Sequence, residues 1–413
     1  MILSPTNSKN AVLAVVCLAI FTDMFTFGVI VPILPTIVNR VSHNSTPTMQ
    51  SVLYAFYAVG LFVTTPIIGW LSDNYLNRQA PMLGGLFGLA FCTLLFSYSP
   101  NFELLLLARF LQGVSAAASW VIGFAILADT FSHNDGLGIA VGIAMGFSSA
   151  GYIAGPSSSG ILYKYYGIHA PFYVCFFLAA LDFIGRIFIR SPAPLPKKDR
   201  SSIVTILKDL RILTLLSAVV FSSAIFSSME ASIASHLTKS FKMDEYQVSL
   251  VLFVMLAPSI IGSIVVGKAC DMGASHHLII FIGLIINSIS GWLLASATSI
   301  QLLIPSAIFF GGTHSFISTP SMPKLALIVE DMGVSSYASV YALSNMAYSI
   351  GMVMGPILVG IIQSYKSFAT GIAFLAIPTI IYAPIFFLNS ISLEKKHSIS
   401  LKSSGHQSPK ENV

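Results

Sequence analysis

Two carboxylic acids lie inside long apolar stretches of this sequence. Asp23 falls in the run at residues 11–35, and Glu230 falls in the run at 209–236. A charged side chain at the centre of a bilayer costs about 2.5–3.5 kcal/mol on insertion scales, so such groups face a partner or a wet cavity. Because burial disfavours the charged form of an acid, we expect Asp23 to bind a proton, or a cationic substrate in competition with it.

Each acid also has a more ordinary interpretation. Asp23 follows Lys9 by fourteen residues, about 21 Å along a helix, and at that depth it could be a structural acid bonded to Thr22 or Thr26. Glu230 precedes Lys239 by only nine residues. It could therefore lie near a solvated outer mouth and attract cations, or act as a second proton site.

Two basic residues also fall within apolar runs. Arg109 stays charged, so inside the membrane it needs hydrogen-bond acceptors. The alternative is that it lies near the membrane end and its side chain reaches back to water. Lys324 precedes Glu330 and Asp331 at the end of its run. It either reaches the aqueous interface or forms an ion pair that lines a cavity.

These residues require elements that cross a membrane. The chain has 413 residues, of which 55% are hydrophobic and 9% charged, against about 25% charged in soluble domains. Runs of about 20 apolar residues can span a bilayer as helices. The sequence therefore predicts an all-α membrane protein with twelve transmembrane helices, at 11–35, 50–71, 80–99, 103–131, 136–163, 168–189, 209–236, 247–268, 276–298, 302–329, 335–363 and 369–390.

Polar segments divide the chain into four parts. We predict a six-helix bundle at 1–190, a cytosolic linker at 191–208, a second bundle at 209–390 and a disordered cytosolic tail at 391–413. With the N-terminus in the cytosol, fourteen of the 21 Lys and Arg residues fall on the cytosolic side and five on the other. This bias predicts that both termini are cytosolic, and it indicates topology rather than nucleic-acid binding.

The sequence gives no sign of metal, cofactor or enzyme chemistry. The four cysteines are scattered, and His276 and His277 lack metal-ligand spacing. Neither a phosphate-binding loop nor a nucleophile motif is visible. We therefore expect a protein that is driven by a gradient rather than by ATP.

One glycine frame occurs twice, 200 positions apart. GYIAGPSSSG contains Gly151, Gly155, Pro156 and Gly160, and GMVMGPILVG contains Gly351, Gly355, Pro356 and Gly360. Small residues four apart let helices approach closely, and proline bends a helix. A single copy would be ordinary membrane packing. Two copies in register indicate two similar halves that rock against each other, with a substrate between them.

Three motifs in chain order resemble the major facilitator superfamily over nearly the whole sequence. Gly142 and the frame from Gly151 to Gly160 resemble its proton-antiporter signature, and Arg109, Gln112 and Gly113 resemble its fourth-helix pattern. GWLSDNYLNRQ, with Gly69, Asp73 and Arg78, resembles its loop between helices two and three, although Leu76 and Asn77 depart from it. The resemblance implies proton transfer at Arg109 and a gate latch at Asp73 and Arg78; the alternative for the latch is an ordinary charged turn.

The first and eleventh runs resemble those of vesicular amine transporters and their fungal drug-efflux relatives. These runs read DMFTFGVIVPILP from Asp23 and YASVYALSNMAYSIGMVMGP from Tyr337. The chain departs from that group at Asn345 and Ser318, where the group has acids, and at Tyr57, where it has a lysine. Asn44 begins a glycosylation sequon.

The resemblance implies a proton-coupled antiporter that exports a drug, toxin or amine-like metabolite by alternating access. Phe27, Tyr57, Tyr341 and Asn345 are expected to line its cavity, and a cation could lie over the aromatic rings. A uniporter or symporter on the same fold, or a non-transporting receptor, is the alternative. We expect a monomer in the plasma membrane or in a vacuolar or vesicular membrane, with protons, a small organic substrate and lipid as its partners.

Overall fold

Long apolar helices form because lipid leaves backbone amides no partner outside their own segment. The computed structural model describes residues 8–42, 46–74, 79–131, 137–187, 206–332 and 337–403. The helices of these residues are α1 Lys9–Val41, α2 Pro47–Asn74, α3 Gln79–Ser97, α4 Phe102–Thr130, α5 Leu137–Tyr166, α6 Ala170–Ile187, α7 Leu210–Phe241, α8 Glu245–Leu256, α9 Pro258–Asp271, α10 His276–Ala295, α11 Ile300–Asp331, α12 Tyr337–Tyr365 and α13 Phe368–Ser403.

Eleven segments of the described chain are long and apolar enough to cross a membrane. The predicted third span is the shorter apolar helix α3, and together these segments account for the twelve predicted spans. The predicted eighth span consists of α8 and α9, which meet at Ala257 and Pro258. Proline lacks an amide donor and so interrupts the helical hydrogen bonds at this point.

The two halves repeat one packing plan. In the first half α1 packs against α5, α2 against α4, and α3 against α6. In the second half α7 packs against α12, α8 and α9 against α11, and α10 against α13. The predicted pair of pseudo-symmetric six-helix halves is confirmed.

The first two glycines of each repeated frame bring helices together within one half. A methyl group on Gly151 or Gly155 would overlap backbone carbonyl oxygens of α1. A methyl group on Gly351 or Gly355 would overlap backbone atoms of α7 in the same way. Each pair therefore fixes a close helix contact that a larger residue would prevent.

The last glycine of each frame joins the two halves. Gly160 lies against Glu245 and Ser249 of α8, and Gly360 lies against Ser51 of α2. Both contacts lie at the end of the molecule where α2 and α8 begin, which we call the closed end. A frame that occurs twice thus makes two matching contacts across the interface between the halves.

The opposite end, where α1 begins, is called the open end. Here α5 and α9 carry Gly142, Gly146 and Gly267, and a methyl group on any of them would meet no atom within 4 Å in the described chain. Among the described residues, the halves are therefore joined at the closed end and make no contact at these three glycines of the open end.

Disorder was predicted from residue 391, and this prediction is wrong for residues 391–403. Helix α13 continues to Ser403. In this continuation Glu394 forms an ion pair with Lys324 of α11 and accepts a 2.8 Å hydrogen bond from His277 Nε2 of α10. Residues 404–413 and most of the predicted linker lie outside the described residues. The remaining domain boundaries stay predictions.

Candidate substrate and proton site

Asp23 is buried and is held by donors from its own half. Its Oδ2 accepts hydrogen bonds from Tyr57 Oη at 3.0 Å and from Trp120 Nε1 at 2.8 Å, while Oδ1 has no partner among the described residues. The hydroxyls of Thr22 and Thr26 are buried and donate no hydrogen bond to the acid. The alternative that these threonines hold Asp23 is therefore wrong, since aromatic donors on α2 and α4 do so.

Glu230 is buried as deeply but is held from the opposite half. Its Oε2 accepts a 2.6 Å hydrogen bond from Tyr54 Oη of α2, and Oε1 has no partner in the described chain. Tyr152 of α5 and Tyr348 of α12 lie within electrostatic range of the carboxyl group. The alternative of a solvated outer mouth is wrong, because α7 is enclosed by both halves and only 1% of Glu230 is exposed.

Arg109 lies in the interior and does not reach water. It is 0% exposed, and its Cζ lies 5.4 Å from the ring centroid of Phe27 and 5.1 Å from that of Tyr57. Its Nη1 donates a 3.2 Å hydrogen bond to Gln112 Oε1. The R-x-x-Q spacing places both side chains on one helix face. The guanidinium is thus held over aromatic rings beside Asp23.

A continuous wall of rings connects the surroundings of the two acids. Phe27 lies 4.8 Å from Tyr57 and stacks on Tyr152 at 6.3 Å between centroids. Tyr152 stacks in turn on Phe226 of α7 at 6.2 Å. This aromatic wall, made of Tyr57, Phe27, Tyr152 and Phe226, crosses from the first half to the second. Its faces are suited to an organic cation.

The charges of this cluster do not balance. When all are ionised, Asp23 and Glu230 carry two negative charges, and Arg109 carries the one positive charge found beside them in the described chain. A buried carboxylate without a positive partner is costly. Binding of one proton or one monovalent cation restores neutrality, so the arrangement is chemically suited to either.

The model of the major facilitator superfamily matches residues 16–231 and 215–411. The chain belongs to this superfamily. It is 28% identical to an uncharacterised MFS-type transporter of Schizosaccharomyces pombe, over 90% of this chain and 93% of that protein. It is 29% identical to the synaptic vesicular amine transporter of Mus musculus, over 82% of this chain and 66% of that protein.

Solved transporter structures share the fold. A bacterial homolog of the human lysosomal transporter Spinster, in an inward-facing unoccupied conformation, matches with a TM-score of 0.71 and 13% identity, over 94% of this chain and 98% of that one. The human organic anion transporter MFSD10 matches with a TM-score of 0.67 and 15% identity, over 92% of this chain and 99% of that one. The family model and the curated relatives together show that the chain is a multi-pass membrane transporter related to vesicular amine transporters, and not an enzyme.

Several residues predicted for the site of this MFS transporter lie elsewhere or outside the described residues. Lys324 forms an ion pair with Glu394 of α13, whose side chain is partly exposed. Asn345 is half-buried on α12, and its carbonyl accepts a hydrogen bond from Ser349. The side chains of Asp73 and Tyr341 fall outside the described set, as do Arg78 and Asn44 altogether.

The glycines of the other two predicted motifs differ in their contacts. Gly113 lies against backbone atoms of α2 at Tyr57 and so fixes the packing of α4 on α2. Gly69 meets no atom of the described chain within 4 Å. Gly113 thereby helps to place the tyrosine that donates to Asp23.

Sequence reasoning missed several aromatic partners of the acids. Trp120, Tyr54, Tyr152 and Tyr348 lie on predicted spans, but aromatic residues are common there and their facing cannot be chosen from spacing alone. It also missed Asp182, which is buried one helical turn before Arg186 on α6. That pair faces neighbouring helices of the first half and not the interface between the halves, because α6 packs against α1, α3 and α5.

Proposed function

We propose that the protein is a proton-coupled antiporter that exports a small organic cation of the amine class from the cytosol. The observation that carries the proposal is the pair Asp23 and Glu230. Both are buried at the meeting of the halves, each has one oxygen without a partner in the described chain, and Arg109 offsets only one of them. The same oxygens can hold a proton or an ammonium group.

We propose that binding starts from the open end and that this end faces the cytosol, which the larger number of basic residues on that side supports. An entering cation reaches the aromatic wall and places its ammonium group at Glu230. The carboxyl proton then leaves, because the ammonium supplies the positive charge that the buried group requires. Arg109 stays near Asp23 and keeps that side of the cluster neutral.

Release on the other side requires the closed end to separate. Hydrogen bonds between the halves hold it, and those in the described chain include Thr36 Oγ1 to Glu245 Oε1 at 2.5 Å, Gly160 N to Ser249 Oγ at 2.9 Å, and Thr48 Oγ1 to the Gly360 carbonyl at 3.1 Å and to Ser364 Oγ at 2.9 Å. Tyr54 to Glu230 is a further link between the halves, and it holds the deeply buried acid of the candidate site. We propose that occupancy of Glu230 weakens this link and permits the halves to rock.

Two features remain proposals within the same scheme. The latch at Asp73 and Arg78 would close the open end, and Asn44 would carry a glycan on the outer side. The vesicular relatives favour a vacuolar or vesicular membrane, although export through the plasma membrane would use the same orientation relative to the cytosol.

Purified protein in liposomes with an acidic lumen tests the proposal. Accumulation of radiolabelled tyramine that collapses on addition of a proton ionophore is the expected result. Tyramine transport that ignores the pH gradient would favour a uniporter. Binding without transport would favour a receptor, and either result would contradict antiport.

A further inference from the structure

His314 of α11 is a polar group inside the bundle that the proposed antiport cycle leaves unused. Its ring stacks on Phe226 of α7, with centroids 4.0 Å apart and an interplanar angle of 24°. Its Nδ1 lies 3.4 Å from Ser222 Oγ. The side chain is only half-buried, and Nε2 has no hydrogen-bond partner among the described residues.

The imidazole extends the aromatic wall into the second half. Phe226 has Tyr152 at 6.2 Å on one side and His314 on the other, so rings run without a break from Tyr57 beside Asp23 to His314. Ser318, one turn further along α11, is exposed. The face of α11 that carries His314 and Ser318 is therefore open rather than filled by a neighbouring helix.

The spacing along α7 places the imidazole at a defined distance from the acid. Ser222, Phe226 and Glu230 follow each other at intervals of four residues and share one face. At about 1.5 Å per residue, Glu230 lies about 6 Å above Phe226 and about 12 Å above Ser222. The imidazole, which contacts both Phe226 and Ser222, lies between these limits.

We infer that His314 is a specificity-determining residue that recognises a hydrogen-bonding substituent at the far end of the substrate. The substrate class is an aryl-alkylamine whose ammonium group binds Glu230, whose ring lies along Tyr152 and Phe226, and whose polar group is about 6–12 Å from the ammonium. A neutral imidazole can donate or accept through Nε2. This inference rests on the proposed binding of organic cations at Glu230.

A histidine with a packing role only has a different environment in this chain. His236, also on α7, lies against the rings of Phe241 and Phe368 and its Nε2 is buried. His314 instead leaves a ring edge accessible beside the aromatic wall. His236→Phe is therefore a matched control for the same substitution at His314.

Equilibrium binding of tyramine and phenethylamine to the purified full-length protein tests the inference. The two amines differ by one hydroxyl group, which should give wild type about a tenfold preference for tyramine if one hydrogen bond is gained. His314→Phe is expected to abolish this preference while binding phenethylamine within about twofold of wild type. His236→Phe is expected to keep the preference.

The contradicting results are distinct. An unchanged preference in His314→Phe overturns the assignment of His314 and leaves the proposed function standing. Binding of neither amine by wild type overturns both. No pH gradient is used, so a failure of proton coupling does not affect the measurement. If His314→Phe does not fold, His314→Gln, which keeps a hydrogen-bonding group, should retain part of the preference that His314→Met loses.

Discussion

Asp23 and Glu230 occupy corresponding helices of the two halves but are held in opposite ways. Asp23 on α1 receives both of its hydrogen bonds from Tyr57 and Trp120 in its own half. Glu230 on α7 receives its hydrogen bond from Tyr54 in the other half. The two acids lie at equivalent positions of the repeat, but only the hydrogen bond of Glu230 crosses the interface between the halves.

This difference suggests separate roles for the two acids, one in substrate affinity and the other in coupling occupancy to the movement of the halves. When the halves rock, the donors of Asp23 move with it, so its environment is preserved. The bond between Tyr54 and Glu230 must break or reform, because its two residues belong to different rigid units. A charge change at Glu230 therefore acts on the conformational equilibrium directly, whereas a charge change at Asp23 acts mainly on affinity.

Removing either charge should have the largest effect on transport and tests whether both acids belong to the site. Asp23→Asn and Glu230→Gln are each expected to lower tyramine transport by about 30-fold or more, because a buried charge pair loses one member. Glu103→Gln, at an exposed position on α4, is the control and should transport normally. Transport by either variant near the wild-type level would remove that acid from the site.

Opening the closed end without touching either acid should have the next largest effect. A valine at Gly160 would overlap backbone atoms of α8, and forced overlap in a packed interior costs about 1–3 kcal/mol or more. We expect longer distances between spin labels at Tyr166 and Tyr365, which are exposed at the closed ends of α5 and α12. Gly142→Val should leave that distance distribution unchanged; a shift of equal size would show that the closed end is not held by Gly160.

Two tyrosine variants test the contrast between Asp23 and Glu230 most specifically, because each removes a hydrogen bond to one of the acids. Tyr54→Phe removes a hydrogen bond to a carboxylate across the halves, worth about 1.5–3 kcal/mol. It should shift the conformational equilibrium by about tenfold or more toward the state in which the two halves have separated at the closed end. Tyr57→Phe removes the corresponding bond within the first half and should lower amine affinity without changing the spin-label distances. Equal shifts in both variants would contradict the separation of binding from coupling.

The smallest effect is expected far from the acids. Glu394→Gln weakens the ion pair with Lys324 and the hydrogen bond to His277. These contacts are partly exposed, so we expect a loss of about 0.5–1 kcal/mol and a slightly lower melting temperature in detergent. Amine binding should not change, and a loss of binding would place this cluster in the site after all.

The spans and the two halves could be predicted because lipid forces apolar runs to become helices. Asp23, Glu230 and Arg109 were visible for a related reason, since a charge within such a run is costly unless it has a role. The glycine frame predicted close helix contacts, although its spacing could not show that Gly160 and Gly360 would join the halves.

The partners of the acids could not be predicted in the same way. Aromatic residues make up 12% of the chain and are equally stable against lipid and against a cavity, so Trp120 and Tyr54 carried no distinguishing signal. The helical segment after residue 390 was missed because its contacts with Lys324 and His277 are tertiary. Its polar composition alone resembles that of a disordered tail.

Proton release on substrate binding tests the central claim most directly. Tyramine would be added at neutral pH to the purified transporter in weakly buffered detergent solution containing a pH-sensitive dye. If the amine displaces a carboxyl proton, the solution acidifies in wild type, in proportion to the amine bound, and the release disappears in Glu230→Gln. Saturable binding of tyramine by wild type with no release of protons at neutral pH would contradict the account.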